Sequence, residues 1–154
     1  MDYRMNNEAI VGCVIAQVVK HGPYEVPFVT GMVNLLMQDK LRRKVLATPG
    51  DRVQELGMLF GQLDGELLGV IMNSMTMLIE GRCLERHDDT LTLTGTGIEL
   101  CEEMNNGKSK LLAKILRDLD NVLFKYDGID KNALYEQMWI AYGVLHQEDK
   151  TVVQ

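Results

Sequence analysis

"CLERHDDTLTLTGTG", residues 83–97, decides the fold. Upstream of it, apolar residues recur every three or four positions. Within it the period falls to two: Leu84 and Arg86 lead into His87-Asp88-Asp89, and Leu91 and Leu93 then alternate with Thr90, Thr92 and Thr94. That is strand, acidic turn, strand. Gly95 and Gly97 are expected to free the backbone to leave the hairpin and enter a helix, "IELCEEMNN", closing at Gly107. A short β-hairpin at about 83–94 set among helices has the form of a wing. The expected fold is mainly α: a winged-helix-like single domain with C-terminal helices.

Working outward from the hairpin gives the remaining elements. Asn6 or Asn7 is placed to cap "EAIVGCVIAQVVKH", a helix with almost no polar face and therefore central, which Gly22-Pro23 ends. Pro27 suits the first turn of "PFVTGMVNLLMQDKLRRKVL", read as one helix running to Thr48-Pro49-Gly50. Asp51 is the expected cap of "RVQELGMLFGQL". After Asp64-Gly65, "ELLGVIMNSMTMLIEG" carries apolar residues around most of its circumference, which predicts a mostly buried helix in front of the wing. Beyond it lie "KSKLLAKILRDLDNVLFKY", with one apolar and one charged face, and "KNALYEQMWIAYGVLH", capped by Asp130. The domain is expected over residues 1–146, with the core and wing at 6–106 and a helical pair at 108–146; residues 147–154 are a flexible tail.

Charge and cysteine content narrow the function classes. The 154 residues carry a net charge of −6, whereas a domain that binds nucleic acid unaided concentrates a basic excess on one face. Cys13, Cys83 and Cys101 are odd in number, lack C-x-x-C spacing and lie in apolar settings, which points to a reducing, cytoplasmic compartment. The apolar run Ala9 to Val19 is shorter than the roughly 18 residues a membrane span requires. No basic segment leads it. A soluble protein with no membrane contact is expected.

No catalytic set emerges. "NNGKSK", residues 105–110, contains Gly-Lys-Ser, but a P-loop needs a glycine five residues before Gly107, where Glu102 stands, and a preceding strand. A turn between helices is the better reading. His21, His87 and His146 form no ligand pair, and Ser74 and Ser109 lack a nucleophile turn. Neither enzyme activity, metal nor cofactor is expected.

Two groups remain as candidate contacts. Lys40, Arg42, Arg43 and Lys44 are the densest positive charge and, with Arg82 and Arg86 beside the wing, are candidates for nucleic acid or a partner. They equally suit a helix C-terminus, where cations meet free carbonyls. Tyr135, Met138, Trp139 and Tyr142 make an aromatic stripe at spacings of three and four, suited to core packing or a partner.

The chain resembles the middle component of bacterial three-component ABC-type systems, including the small accessory subunit of Lamassu-type SMC-like defence complexes. The resemblance is one of pattern over about residues 6–145: "NNEAIVGCVIAQVVKHG", "VPFVTGMVNLLMQDKLRRKV", "LLGVIMNSMTMLIEGRCLERHDDTLTL", "LLAKILRDLDNVLFKYDG" and "ALYEQMWIAYGVL" follow in order. Asn-Asn-Glu-Ala replaces the family's Asn-Pro-Ala-like opening, and Gln38-Asp39-Lys40 stands where the family has a histidine. The resemblance implies a non-catalytic adaptor that joins an SMC-like ATPase to an effector, commonly a nuclease, with DNA met through the complex. It carries no active-site residue.

The alternative is a winged-helix transcription regulator, since "LTLTGTGIELCEEM" is similar to the wing and following helix of such proteins. Against it, the helix before the wing offers Asn73, Ser74 and Thr76 but no cation before Arg82, and the wing tip is acidic.

Overall fold

The computed structural model describes residues 7–105 and 109–141. Helix α1 (Asn7–Lys20) is the axis of the molecule. From Ile10 to Val19 every residue but Gly12 is buried, because the segment is apolar all round and has no face for water. Its buried Gln17 amide donates to the Cys101 carbonyl at 3.3 Å. A short strand, β1 (Tyr24–Glu25), follows and leads directly into α2 (Val26–Met37) with Pro27 in its first turn.

The expected long second helix is broken. Gln38 is extended (φ −96°, ψ 106°), and α3 (Asp39–Ala47) starts anew. The break is stable because side chains serve the carbonyls that a helix end leaves free. Arg42 Nη1 donates to Leu36 O at 2.6 Å, and Gln38 Nε2 reaches Asn34 O at 3.2 Å. Buried Asn34 also fastens the next loop, donating to Gln62 O at 3.0 Å while its Oδ1 accepts from Asp64 N at 3.0 Å.

Helix α4 (Val53–Phe60) begins after Arg52 with no side-chain cap, so Asp51 does not play the expected role. Helix α5 (Gly65–Glu80) does have one, as the Asp64 side chain accepts from Leu67 N at 2.9 Å. Only Ile71, Ser74 and Met75 of α5 are fully buried, and Met72 and Met77 are 56% and 64% exposed. The expectation of a mostly buried helix is therefore corrected. One side of a helix packs on α1 and α2, and apolar residues beyond that arc face outward.

The hairpin forms where the alternation placed it, as β2 (Leu84–His87) and β3 (Thr90–Leu93). The strand order is β1-β3-β2, both pairings antiparallel, with Tyr24 opposite Leu91 and Leu84 opposite Leu93. Two-residue β1 was too short to alternate. Leu84 and Leu91 point into the core while the wing tip is exposed. Helix α6 (Gly95–Asn105) leaves the sheet at Thr94, whose hydroxyl accepts from Gly97 N at 3.1 Å and lies 2.6 Å from the Arg82 carbonyl, to which it donates.

Helix α7 (Lys110–Tyr126) is capped by Ser109, whose hydroxyl accepts from Leu112 N at 3.2 Å. Its stripe Leu112, Ile115, Leu119, Val122 and Tyr126 is buried. Tyr126 donates to Leu56 O at 2.9 Å, and its ring continues the row Phe28, Phe60, Tyr126. A last helix, α8 (131–141), packs over α2 and the end of α4. The domain is thus mainly helical and winged-helix-like, with a small antiparallel sheet. No helix among the described residues is long and apolar enough to cross a membrane.

Candidate functional site

The basic segment separates into one buried and three exposed cations. Arg42 is 1% exposed, and its guanidinium is fully engaged: Nε to Asp118 at 2.9 Å, Nη2 to Asp39 at 2.6 Å, and Nη1 to the Leu36 carbonyl. As a candidate contact with DNA or a partner it is withdrawn, because it holds α2, α3 and α7 together. Lys40, Arg43 and Lys44 face solvent. Arg43 nevertheless pairs with Asp39 at 2.7 Å, as does Lys114 at 3.3 Å. Asp39 is held below the usual carboxylate range, first by the hydrogen bond from Lys114 and then by the charges of Arg43, Lys114 and Arg42, against some desolvation.

That contact brings the cations of α7 beside those of α3. Lys110, Lys114 and Arg117 recur at four and three residues, all exposed, on one side of α7. The sequence showed α7 to have a charged face. It did not show that the face adjoins α3, since the pairing spans more than 70 residues.

The wing is chemically self-contained. Arg86 Nε donates to the Asp88 carbonyl at 2.8 Å and Nη2 to Asp89 at 3.0 Å, so this cation closes its own turn. Asp88 occupies the left-handed region (φ 57°), as does Arg82 (φ 61°) at the exit of α5. Asp88, Asp89 and Glu85 are exposed around the tip, with His87 lying 3.4 Å from Glu85. The exposed face of α5 presents Glu66, Met72, Asn73, Thr76, Met77 and Glu80, with no cation. Arg82 and Arg86 are thus the cations of an otherwise acidic and apolar wing face.

The most distinctive surface lies where α8 meets α2 and α5. An apolar groove of about 400 Å³ is bounded by Pro27 and Thr30 of α2, by Leu68 and Met72 of α5, and by Met138 and Trp139 of α8. Glycines let α8 approach: a Cβ on Gly31 would lie 2.4 Å from the Phe60 ring and 3.1 Å from Met138 Sδ, and one on Gly61 would lie 2.9 Å from Gln137 Cβ. Tyr135 and Met138 are half-buried against the core, whereas Trp139 is 70% and Ile140 59% exposed. Of the aromatic stripe, Tyr142 lies outside the described residues. Sequence reasoning found the α8 wall and missed the α2 and α5 walls, whose signal was the surplus apolar circumference of α5.

The Tyr135 hydroxyl is buried with no hydrogen-bond partner among the described residues. Its pKa is pushed up to about 12, first by burial and then by the carboxylates of Glu25 and Asp89. Glu25 and Asp89 are joined through the backbone, Val26 N donating to Asp89 O at 2.6 Å. The wing turn, β1 and α8 therefore converge at one end of the groove.

No group of three His, Cys, Asp or Glu side chains among the described residues is placed to hold a metal. The Gly-Lys-Ser segment ends in the Ser109 cap of α7, while residues 106–108 lie outside the described residues. No family model, curated protein or solved structure matches the chain.

Proposed function

We propose that this chain is a non-catalytic interaction subunit which, as its resemblance to the middle components of three-component systems implies, joins an SMC-like ATPase to an effector, commonly a nuclease, in bacterial defence against foreign DNA. The observation that carries the protein-binding part is the open apolar groove between α2, α5 and α8, with Trp139 and Ile140 exposed beside it. Solvent-exposed tryptophan beside clustered methionine is costly to hydrate and is the usual material of an interface anchor. Three free thiols accord with the cytoplasm as the place of action. In this reading DNA meets the assembly through the ATPase, with Lys40, Arg43 and Lys44 as auxiliary contacts.

The regulator alternative draws on the wing-like sheet order. Its chemistry is unfavourable, because the outward face of α5 carries Glu66 and Glu80 without a cation and Arg86 is engaged by Asp88 and Asp89. Phosphates would meet carboxylates there. Co-expression with the products of the adjacent genes tests the proposal: co-purification with a coiled-coil ATPase supports it, and a chain that stays alone beside such an ATPase overturns it.

A further inference from the structure

We infer that the groove between α2, α5 and α8 is a receptor for a basic amphipathic helix of a partner protein. The inference rests on the reading of the chain as an interaction subunit and names the chemistry of what it takes. The groove is apolar on both walls, and a partner helix lays anchors at i, i+3, i+4 and i+7 into such a groove.

Charge selects among apolar occupants. Asp64 and Glu66 stand at the start of α5, two to four residues before Leu68, and both are exposed. Glu136 is exposed on α8, three and four residues before Trp139 and Ile140, and therefore shares their face. Glu25 and Asp89 lie at the Tyr135 end. Of these five carboxylates Asp89 is already paired with Arg86 at 3.0 Å, and the Lys131 ammonium of α8 is engaged over the Tyr24 and Phe28 rings at 5.4 and 5.3 Å, so the negative excess of the rim rests on Asp64, Glu66, Glu136 and Glu25. A second copy of this chain, at net charge −6, would bring more negative charge to an acidic rim. A helix with leucine-like anchors flanked by lysine or arginine complements both the floor and the rim.

The chain contains one tryptophan, Trp139 at the groove edge, so its fluorescence reports on this site alone. The full chain is titrated with an 18-residue helical peptide of leucine and lysine, and with its leucine and glutamate counterpart. The expected result is a saturable blue shift with the lysine peptide, weakened by salt, and at least about tenfold weaker binding of the glutamate peptide. Met72→Glu, at an exposed position, removes the shift while circular dichroism stays that of the wild type. The paired exposed substitutions Glu66→Lys and Glu136→Lys reverse the preference between peptides.

Equal binding of both peptides overturns the inference, as does binding that Met72→Glu leaves intact or the absence of any binding. A blue shift that rises with protein concentration alone would assign the groove to a second copy instead. A chain that fails here yet co-purifies with the ATPase remains an interaction subunit that uses another surface, which separates this outcome from failure of the wider reading.

Discussion

Arg42 shows how one side chain turns from a surface candidate into a structural pin. Four cations within five residues, Lys40 to Lys44, look alike in sequence, but only position 42 falls on the inward arc of α3, one residue after buried Leu41 and three before buried Val45. There the planar fork serves two carboxylates and a helix-end carbonyl at once. Arg42→Ala is expected to cost about 3 kcal/mol, because it empties a buried side-chain site and leaves the Leu36 carbonyl and half-buried Asp118 without their donor. Arg42→Lys restores only part of that, since an ammonium cannot make the same fork. Arg43→Ala, at an exposed pair, changes stability by less than about 0.5 kcal/mol. Urea unfolding followed by circular dichroism measures all three.

Tyr135 makes a second residue-scale prediction, on alkaline stability. Its folded pKa is raised from 10.0 to about 12, and burial raises those of Tyr24 and Tyr126 as well. Between those values the unfolded chain loses the phenolic proton while the folded chain keeps it, so stability is unaffected below about pH 10 and falls as pH climbs from there towards 12. Tyr135→Phe removes one source of that fall. Near neutral pH it is expected to be neutral or to stabilise by up to about 1 kcal/mol, because the buried hydroxyl has no partner among the described residues to lose. Urea midpoints of both proteins across the alkaline range supply the comparison.

At the scale of elements, the root of the wing explains the glycines of "LTLTGTG". Sequence reasoning assigned Gly95 and Gly97 to backbone freedom, yet no glycine of the described residues has positive φ. Gly97 is required for space instead. A Cβ there would lie 2.2 Å from the Cys83 carbonyl oxygen and 2.6 Å from Leu93 Cδ1, whereas one at Gly95 would meet nothing within 4 Å. Gly97→Ala is therefore expected to destabilise by about 2 kcal/mol, because the clash is with backbone. Gly95→Ala should stabilise by about 0.5 kcal/mol through the unfolded chain. Opposite shifts in thermal midpoint would bear this out.

The same scale shows what was legible. Local periodicity located the hairpin and the helices after it, because each is set by residues within a turn or two. The break at Gln38 was not legible, since "PFVTGMVNLLMQDKLRRKVL" has no glycine or proline at the break and the helix ends are satisfied by Asn34, Gln38 and Arg42 acting across the gap. Nor was β1, whose two residues become a strand only by pairing with Leu91 and Thr90. For the candidate site, aromatic spacing revealed Tyr135, Met138 and Trp139, but the groove needs Pro27 and Met72 opposite them, brought there by long-range packing.

Across the whole molecule, an apolar central helix fixes the core, a small sheet closes one side, and α8 leaves an apolar groove beside a chain of net charge −6. The wing keeps the shape of a nucleic-acid reader while Arg86 is spent on its own turn and the tip is acidic. Charge argues against DNA reading by the wing, and the proposed working surface is the apolar groove beside α5 and α8. The exposed cations of α3 and α7 form a separate face whose role in this account is auxiliary.

The most direct test is co-expression with the coiled-coil ATPase that the proposal places among the products of the adjacent genes, with the mass of any complex measured by light scattering for the wild type, Met72→Glu and Trp139→Ala. The account predicts a defined complex for the wild type and loss of it for both variants, each still folded as judged by circular dichroism. A complex that survives both substitutions, or a wild-type chain that never joins the ATPase, would contradict it.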